Sequence, residues 1–169
     1  LVDAENSLEE GTTAPSEGFA VTGKVLALAN TSGKVAGDKF TVIGCNVIIN
    51  GETVATTGQD GTFTIPSLAA GKYTATLSYQ YGFDRNITIE VKDGNVNLGS
   101  YGMVVCNFKK DSAINGTDFN VYKRCTGKSK SDSTYNGACD FNHDGAVNGT
   151  DYNIYKAFSG KMLSAEIYN

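Results

Sequence analysis

Residues 139–156 read CDFNHDGAVNGTDYNIYK, and residues 106–123, which lie 33 positions earlier, read CNFKKDSAINGTDFNVYK. The two stretches are one motif written twice, with a shared Asn-Gly-Thr-Asp segment in each copy. A duplicated unit of this kind predicts two structurally equivalent halves. We therefore expect the C-terminal third of the chain to have approximate two-fold symmetry.

The second copy carries oxygen-bearing side chains at the spacing of a calcium loop. Calcium prefers six to eight oxygen ligands, and a twelve-residue EF-hand-like loop supplies them from positions 1, 3, 5, 7, 9 and 12. Here those positions are held by Asp140, Asn142, Asp144, the Ala146 carbonyl, Asn148 and Asp151. Gly145 stands at position 6, where the loop turns sharply. The sequence predicts one firm Ca²⁺ site; the alternative is an Asx-rich turn in which Asn148 or Thr150 only caps the next helix.

The first copy is a poorer calcium loop. Its candidate ligands are Asn107, Asp111, the Ala113 carbonyl, Asn115 and Asp118. Lys109 stands at position 3, and an ammonium group has no lone pair to offer a cation. Ser112 replaces the glycine of the turn. The sequence thus permits a second, weaker Ca²⁺ site completed by waters, or a loop in which the Lys109 ammonium partly takes the place of the metal.

Each loop is followed by apolar residues at helical spacing. They are Phe119, Tyr122 and Cys125 in the first copy, and Tyr152, Tyr155 and Phe158 in the second. This spacing predicts two loop–helix units. The polar stretch 126–137 joins them.

Residues 19–101 have a period of two, which is typical of strands. Ile87, Ile89 and Val91 alternate with polar residues, as expected for an antiparallel sheet with one face on a core. Asn50-Gly51 is a hairpin signal between two apolar runs. About seven short strands predict a β-sandwich. Residues 1–18 carry five acidic residues and no basic one, and we expect a solvated linker there.

Composition and charge exclude several functions. The net charge of −4 and the lack of a basic stripe argue against a nucleic-acid partner. No apolar run approaches the roughly 18 residues of a membrane span, so no membrane insertion is expected. His143, the only histidine, is predicted to face solvent, and no Ser or Cys nucleophile has a recognisable His partner, so we expect no enzyme activity. The composition is typical of extracellular, β-rich bacterial modules. Because no signal peptide or sorting tail is visible, we expect the end of a larger secreted protein.

The paired loop–helix repeat resembles a dockerin over roughly residues 103–163. The preceding module resembles carboxypeptidase regulatory-like and Cna-B-type sandwiches. Together they look like the X-module–dockerin tandems of cellulosome-type assemblies. The fold this implies is an Ig-like all-β sandwich followed by a small all-α dockerin, with 1–18 as linker, 19–102 as X module and 103–169 as dockerin.

By this resemblance, the chain would bind a cohesin module of a scaffoldin or cell-surface anchoring protein in a calcium-dependent way. It would thereby anchor its parent protein in an extracellular bacterial complex for polysaccharide degradation, with the sandwich as a stabilising spacer. Two alternatives remain: a surface adhesin stalk, and a carbohydrate-binding sandwich with a calcium-stabilised appendage.

The resemblance also implies which residues meet the partner, at loop positions 10 and 11 and along each helix. They are Gly116, Thr117, Val121, Lys123, Arg124 and Lys128 in the first copy, and Gly149, Thr150, Ile154, Lys156, Ala157 and Lys161 in the second. The plainer interpretation is helix-start residues and solvent-facing charges. The match between copies permits two binding orientations related by 180°. The difference between Arg124 and Ala157 favours one of them.

Four cysteines allow three complete pairings. With two-fold symmetry, the end of the first helix lies near the start of the second loop, which favours a Cys125–Cys139 disulfide. Cys45 and Cys106 would then remain and could join the sandwich to the dockerin. The alternative is four buried free thiols.

Overall fold

The computed structural model describes residues 17–164 and 167–168. The predicted linker, 1–18, lies almost wholly outside these residues. The described residues form a β-sandwich followed by two helices, and the predicted fold class is confirmed. No helix within the described ranges is long and apolar enough to cross a membrane.

Seven strands form the two sheets of the sandwich. They are β1 Phe19–Ala27, β2 Asn46–Ile49, β3 Glu52–Thr56, β4 Thr62–Leu68, β5 Gly71–Ser78, β6 Arg85–Val91 and β7 Val96–Met103. One sheet has the order β4-β1-β7 and the other β3-β2-β5-β6. The side chains that alternate inward on β6, Ile87, Ile89 and Val91, are all buried, as the period of two predicts.

The β2–β3 hairpin turns at the residues that the sequence indicates. Asn50 and Gly51 have φ angles of 52° and 83°. Two successive left-handed residues give the turn twist that matches a two-residue hairpin.

One strand pair departs from the antiparallel expectation. β1 and β7 run parallel, from Val21 opposite Val96 to Ala27 opposite Met103. The alternating pattern reports only which side of a strand is buried, so it does not distinguish the two directions. In this arrangement β7 carries the chain out of the sandwich directly into the helical module.

The helical module contains α1 Gly116–Cys125, a 3₁₀ turn Gly137–Cys139 and α2 Gly149–Phe158. Each helix begins with a capping box, formed by Asn115 with Asp118 and by Asn148 with Asp151. The reciprocal hydrogen bonds satisfy amides that the first turn of a helix leaves unpaired. The same local sequence therefore starts both helices in the same way.

Backbone hydrogen bonds relate the two repeats by two-fold symmetry. Ile114 at position 8 of the first loop bonds to Gly160 and Lys161, which follow α2. Val147, its counterpart, bonds to Gly127 and Lys128, which follow α1. Each loop thus pairs with the segment that follows the other helix, so neither unit is complete alone.

The cysteine predictions have different outcomes. Cys125 and Cys139 form a disulfide, as the two-fold symmetry predicts. The Cys45–Cys106 disulfide is wrong, because both residues are buried free thiols. Cys45 lies in the sandwich with its sulfur 3.8 Å from Met103 Sδ. Burial and the nearby charge of Asp118 raise the pKa of Cys106.

The two modules share one hydrophobic core. Val104, Val105 and Cys106 connect β7 to the first loop and are all buried in the same cluster as the sandwich and helix interiors. Near the end of the chain, the Tyr168 hydroxyl donates to the Phe83 carbonyl and lies 3.4 Å from the Val104 amide. The helical module is therefore attached to the sandwich at both of its ends.

Leu77→Ala should lower the free energy of unfolding by about 3 kcal/mol, because Leu77 is fully buried and its truncation leaves a cavity. Urea unfolding followed by circular dichroism measures the loss. Thr74→Ala, on the exposed side of the same strand, is the matched control and should change stability by less than about 0.5 kcal/mol. Equal effects of the two substitutions would contradict this assignment of the core.

Full reduction should destabilise the protein by about 3 kcal/mol, because the Cys125–Cys139 bond closes a loop with a sequence separation of 14. Urea unfolding in calcium buffer, with and without reductant, tests this. The double variant C125A/C139A should unfold, without reductant, at the same lower urea concentration as the reduced wild-type protein. Reductant should not change its unfolding midpoint. A wild-type midpoint that is unchanged by reductant would exclude a stabilising role for this bond.

Candidate functional site

Asp151 closes the second loop. Its carboxylate is buried and accepts hydrogen bonds from the Phe141 amide at 2.7 Å and from the Asn148 amide at 2.9 Å. Burial raises the pKa of Asp151, and the negative charges of Asp140 and Asp144 raise it further. The second loop thus brings together three carboxylates whose negative charges repel one another.

The remaining candidate ligands of this loop lie around Asp144. The Asp144 amide lies 3.2 Å from Asp140 Oδ1. The Asp144 carboxylate accepts hydrogen bonds from the Asn142 side chain at 2.9 Å and from the Ala146 amide at 2.9 Å. The Asn148 side chain lies 3.5 Å from the same carboxylate. These hydrogen bonds hold the pKa of Asp144 below its usual value, with the Asn142 contact as the first cause. The structure therefore brings the predicted oxygen-bearing residues together.

The chemistry of this loop fits a cation. Asp140 and Asp151 are buried, yet the three salt bridges among the described residues, Lys24–Asp38, Lys92–Glu90 and Lys110–Asp84, include neither of them. A buried carboxylate without a counter-charge is costly unless a positive charge or a proton neutralises it. Within the described ranges, no group of three His, Cys, Asp or Glu side chains forms a metal site by itself. A site here would need amide and carbonyl oxygens as well, which is the ligand set that calcium accepts.

Tyr135 supports the loop and was missed by the sequence analysis. Its hydroxyl donates to Asp140 Oδ2 at 2.6 Å, and the Gly145 amide donates to the same oxygen at 2.8 Å. A carboxylate that is fixed by such neighbours keeps its orientation toward a metal. Tyr135 lies in the connecting segment, outside the repeat, so the duplicated pattern contains no signal for it.

The first loop has the same buried aspartate at its last position as the second loop, but it contains fewer carboxylates. Asp118 is buried and accepts from the Lys109 amide at 3.0 Å and from the Asn115 amide at 2.9 Å. Asn107, also buried, donates to the Asp111 carbonyl at 2.7 Å. The Lys109 side chain is exposed and takes part in no salt bridge with a described residue, so it does not neutralise the loop.

His143 is exposed, as predicted, and it also contacts the sandwich. Its Nε2 lies 2.8 Å from the Thr41 carbonyl oxygen. His143 and Lys110 both occupy position 4 of their loops, and both have left-handed backbones with φ angles of 57° and 53°. This backbone conformation directs the fourth residue of each loop out of the loop.

The predicted partner-binding residues differ in their exposure. Gly116, Thr117, Lys123, Arg124, Gly149, Thr150, Lys156 and Lys161 are exposed, and Val121, Lys128 and Ala157 are half-buried. Ile154 is 5 % exposed and belongs to the core, so this structure does not offer it to a partner. The helical pattern alone could not separate Ile154 from Val121, because they hold equivalent positions in the two copies.

An exposed aromatic pair lies on the same two helices and was not predicted as a surface feature. Phe119 and Tyr152, at equivalent positions, are 40 % and 43 % exposed. The ring of Phe119 contacts Tyr155 at a centroid distance of 5.8 Å, and Tyr152 contacts Tyr122 at 6.1 Å. Tyr122 and Tyr155 stack on each other at 5.1 Å. The four rings form a cluster in which each helix contributes one buried and one exposed ring.

Two family models match the chain in consecutive segments. Residues 16–106 match the family described as BOS complex subunit NOMO1-like, second beta sandwich domain. Residues 108–158 match the family described as Dockerin type I domain. No curated protein matches the chain at a significant level.

Two solved structures are similar to the chain over most of its length. They are crystal structures of a type II cohesin–X–dockerin complex from Acetivibrio cellulolyticus, one a C-terminal and the other an N-terminal interface mutant. Each matching chain is 27% identical in sequence, and the alignments cover 86% of this chain and 97% of that chain. The TM-scores are 0.64 and 0.63.

Proposed function

We propose that this X-module–dockerin tandem is a non-catalytic module that binds a cohesin. The chain belongs to the NOMO1-like family of β-sandwich domains, and it carries a type I dockerin domain directly after that sandwich. The observation that carries the proposal is the symmetric pair of loop–helix units with matched, exposed residues. Thr117 and Thr150 begin the two helices at the surface, and Lys123 and Lys156 follow on each. A partner would meet a surface of defined shape, because both helices rest on a shared core.

We further propose that cohesin binding depends on calcium. The ion, when bound, would supply the positive charge that buried Asp140 and Asp151 lack. The residues of the chain do the rest: Asp151 ties the start of the loop to the start of α2 through the Phe141 and Asn148 amides. Tyr135 fixes the orientation of Asp140. An ordered loop places Gly149 and Thr150 at the beginning of the helix, where the partner would contact them.

The role proposed for the whole chain is attachment of a parent protein to an extracellular, cellulosome-type assembly, in bacteria. The sandwich would act as a stabilising spacer, since it shares a core with the helical module and holds both ends of it. The matching dockerin family is described as type I, whereas the similar complexes are described as type II. A binding test therefore needs cohesins of both types.

Calcium titrated into the chelated chain should bind with measurable heat, and a cohesin from a panel of both types should bind only afterwards. Asp144→Ala should weaken calcium binding at least about tenfold, because it removes one charged oxygen donor from the loop. Isothermal titration calorimetry measures both steps. Glu52→Ala, at an exposed acidic residue of β3 in the sandwich, is the control and should leave both affinities unchanged.

Two results would contradict the proposal at different levels. Undiminished cohesin binding in EGTA would remove the calcium dependence and leave the partner intact. Failure of every cohesin in the panel to bind the calcium-loaded chain would remove the partner.

We also propose one dominant binding orientation. Replacing Thr117, Lys123 and Arg124 with Ala should weaken cohesin binding at least about tenfold more than replacing Thr150 and Lys156 with Ala. The reason is that arginine is enriched among the residues that dominate binding energy. At the position of Arg124, α2 has Ala157. Calorimetry with the cohesin identified above compares the two variants. Equal losses of affinity would indicate that both orientations are used.

A further inference from the structure

The first loop has many contacts with the sandwich. The Asn107 amide donates to the Tyr81 carbonyl at 2.8 Å, and the Phe108 ring lies 5.8 Å from the Tyr81 ring. Both contacts are made by the first two positions of the loop. They continue directly from the buried segment that leaves β7.

Lys110 adds the strongest of these contacts. Its ammonium group donates to the Tyr79 carbonyl at 2.7 Å, the Gly82 carbonyl at 2.9 Å and Asp84 Oδ1 at 2.5 Å. An ammonium group has three donors, and all three are satisfied by the segment that joins β5 to β6. The left-handed backbone at Lys110 directs this side chain away from its own loop and onto the sandwich.

The second loop differs in both its contacts and its charge. At the equivalent position His143 makes one hydrogen bond to the sandwich, to the Thr41 carbonyl. The second loop contains three candidate carboxylate ligands, Asp140, Asp144 and Asp151, whereas the first contains two and has Lys109 at position 3. The loop with more negative charge is thus the one with fewer attachments to the sandwich.

We propose that the two loops are ordered by different partners: the sandwich orders the first loop through Lys110 and Asp84, and a cation orders the second. Lys110 is a positioning residue in this scheme, because it holds the loop from outside and ligates nothing. The second half of the scheme rests on the calcium site proposed above. The first half does not, since it depends only on contacts between described residues.

One consequence concerns the partner surface. Removal of calcium would loosen mainly the second loop and the start of α2, and the pairing between the repeats would pass only part of this change to Thr117 and Lys123 on α1. Loss of the Lys110–Asp84 contact would loosen mainly the first loop in saturating calcium. The two halves of the symmetric surface would then respond to different conditions.

Hydrogen exchange measured by mass spectrometry on the full chain tests the scheme, with peptides that cover residues 107–125 and 140–158. In EGTA, exchange should accelerate at least about tenfold in residues 140–158 and much less in 107–125. In saturating calcium, Asp84→Asn should accelerate exchange about tenfold in 107–125 and less than about twofold in 140–158. The reason is that one hydrogen bond to a charged group contributes enough stability to change a local opening equilibrium about tenfold.

Two controls match these variants. Asp38→Asn removes another exposed sandwich carboxylate that lies 3.9 Å from a lysine, and Lys109→Met removes the neighbouring loop lysine, which makes no salt bridge with a described residue. Neither should change exchange in 107–125. Lys110→Met leaves the sandwich sequence intact and should reproduce the Asp84→Asn result, so the test stands even where Asp84→Asn unfolds the β5–β6 segment.

Unchanged exchange in 107–125 for both Asp84→Asn and Lys110→Met would overturn the role of the sandwich. Equal acceleration of both segments in EGTA would overturn the division between the loops. An absence of any EGTA effect, together with an absence of calcium binding heat, would refute the proposed calcium site and leave the Lys110 contact as a separate result.

Discussion

Each repeat depends on one buried carboxylate at the last position of its loop. Asp118 and Asp151 accept backbone amides from both the beginning of the loop and the residue that caps the helix. A carboxylate has two oxygens, so one side chain can fix the loop and the helix to each other. Since both carboxylates are fully buried, each also carries a charge that the surrounding structure must accommodate. The position of the helices, and with it the exposed surface, follows from how that charge is balanced.

The repeat made much of the helical module predictable. The same Asn-Gly-Thr-Asp segment gives both copies the same capping box, and the two-fold relation brings Cys125 to Cys139. Local chemistry also determined the β2–β3 hairpin, because Asn50-Gly51 accepts the left-handed backbone that the turn requires. In each case the deciding interactions lie within a few residues or follow from the duplication.

What escaped the sequence analysis involves residues that the repeat and the periodic patterns do not pair. Thr41 lies 102 residues before His143 in the chain, and Tyr135, only five residues from Asp140, belongs to the connecting segment and not to a repeat. The error at Cys45 and Cys106 has a different origin: two leftover cysteines were paired by elimination, whereas both are buried free thiols. The duplication also led to Ile154 and Val121 being treated alike, although only Ile154 belongs to the buried core.

The parallel pairing of β1 and β7 has a mechanical consequence. The start of β1 and the end of β7 lie at opposite ends of the same two-strand ladder, which extends from Val21 with Val96 to Ala27 with Met103. Tension between a segment attached before Phe19 and a protein held by the helices would pull these two strands lengthwise past each other. The load would then be shared by the whole ladder of hydrogen bonds at once, whereas peeling would break them one after another. A sandwich with this topology resists stretching in the direction in which a tethered protein would be pulled.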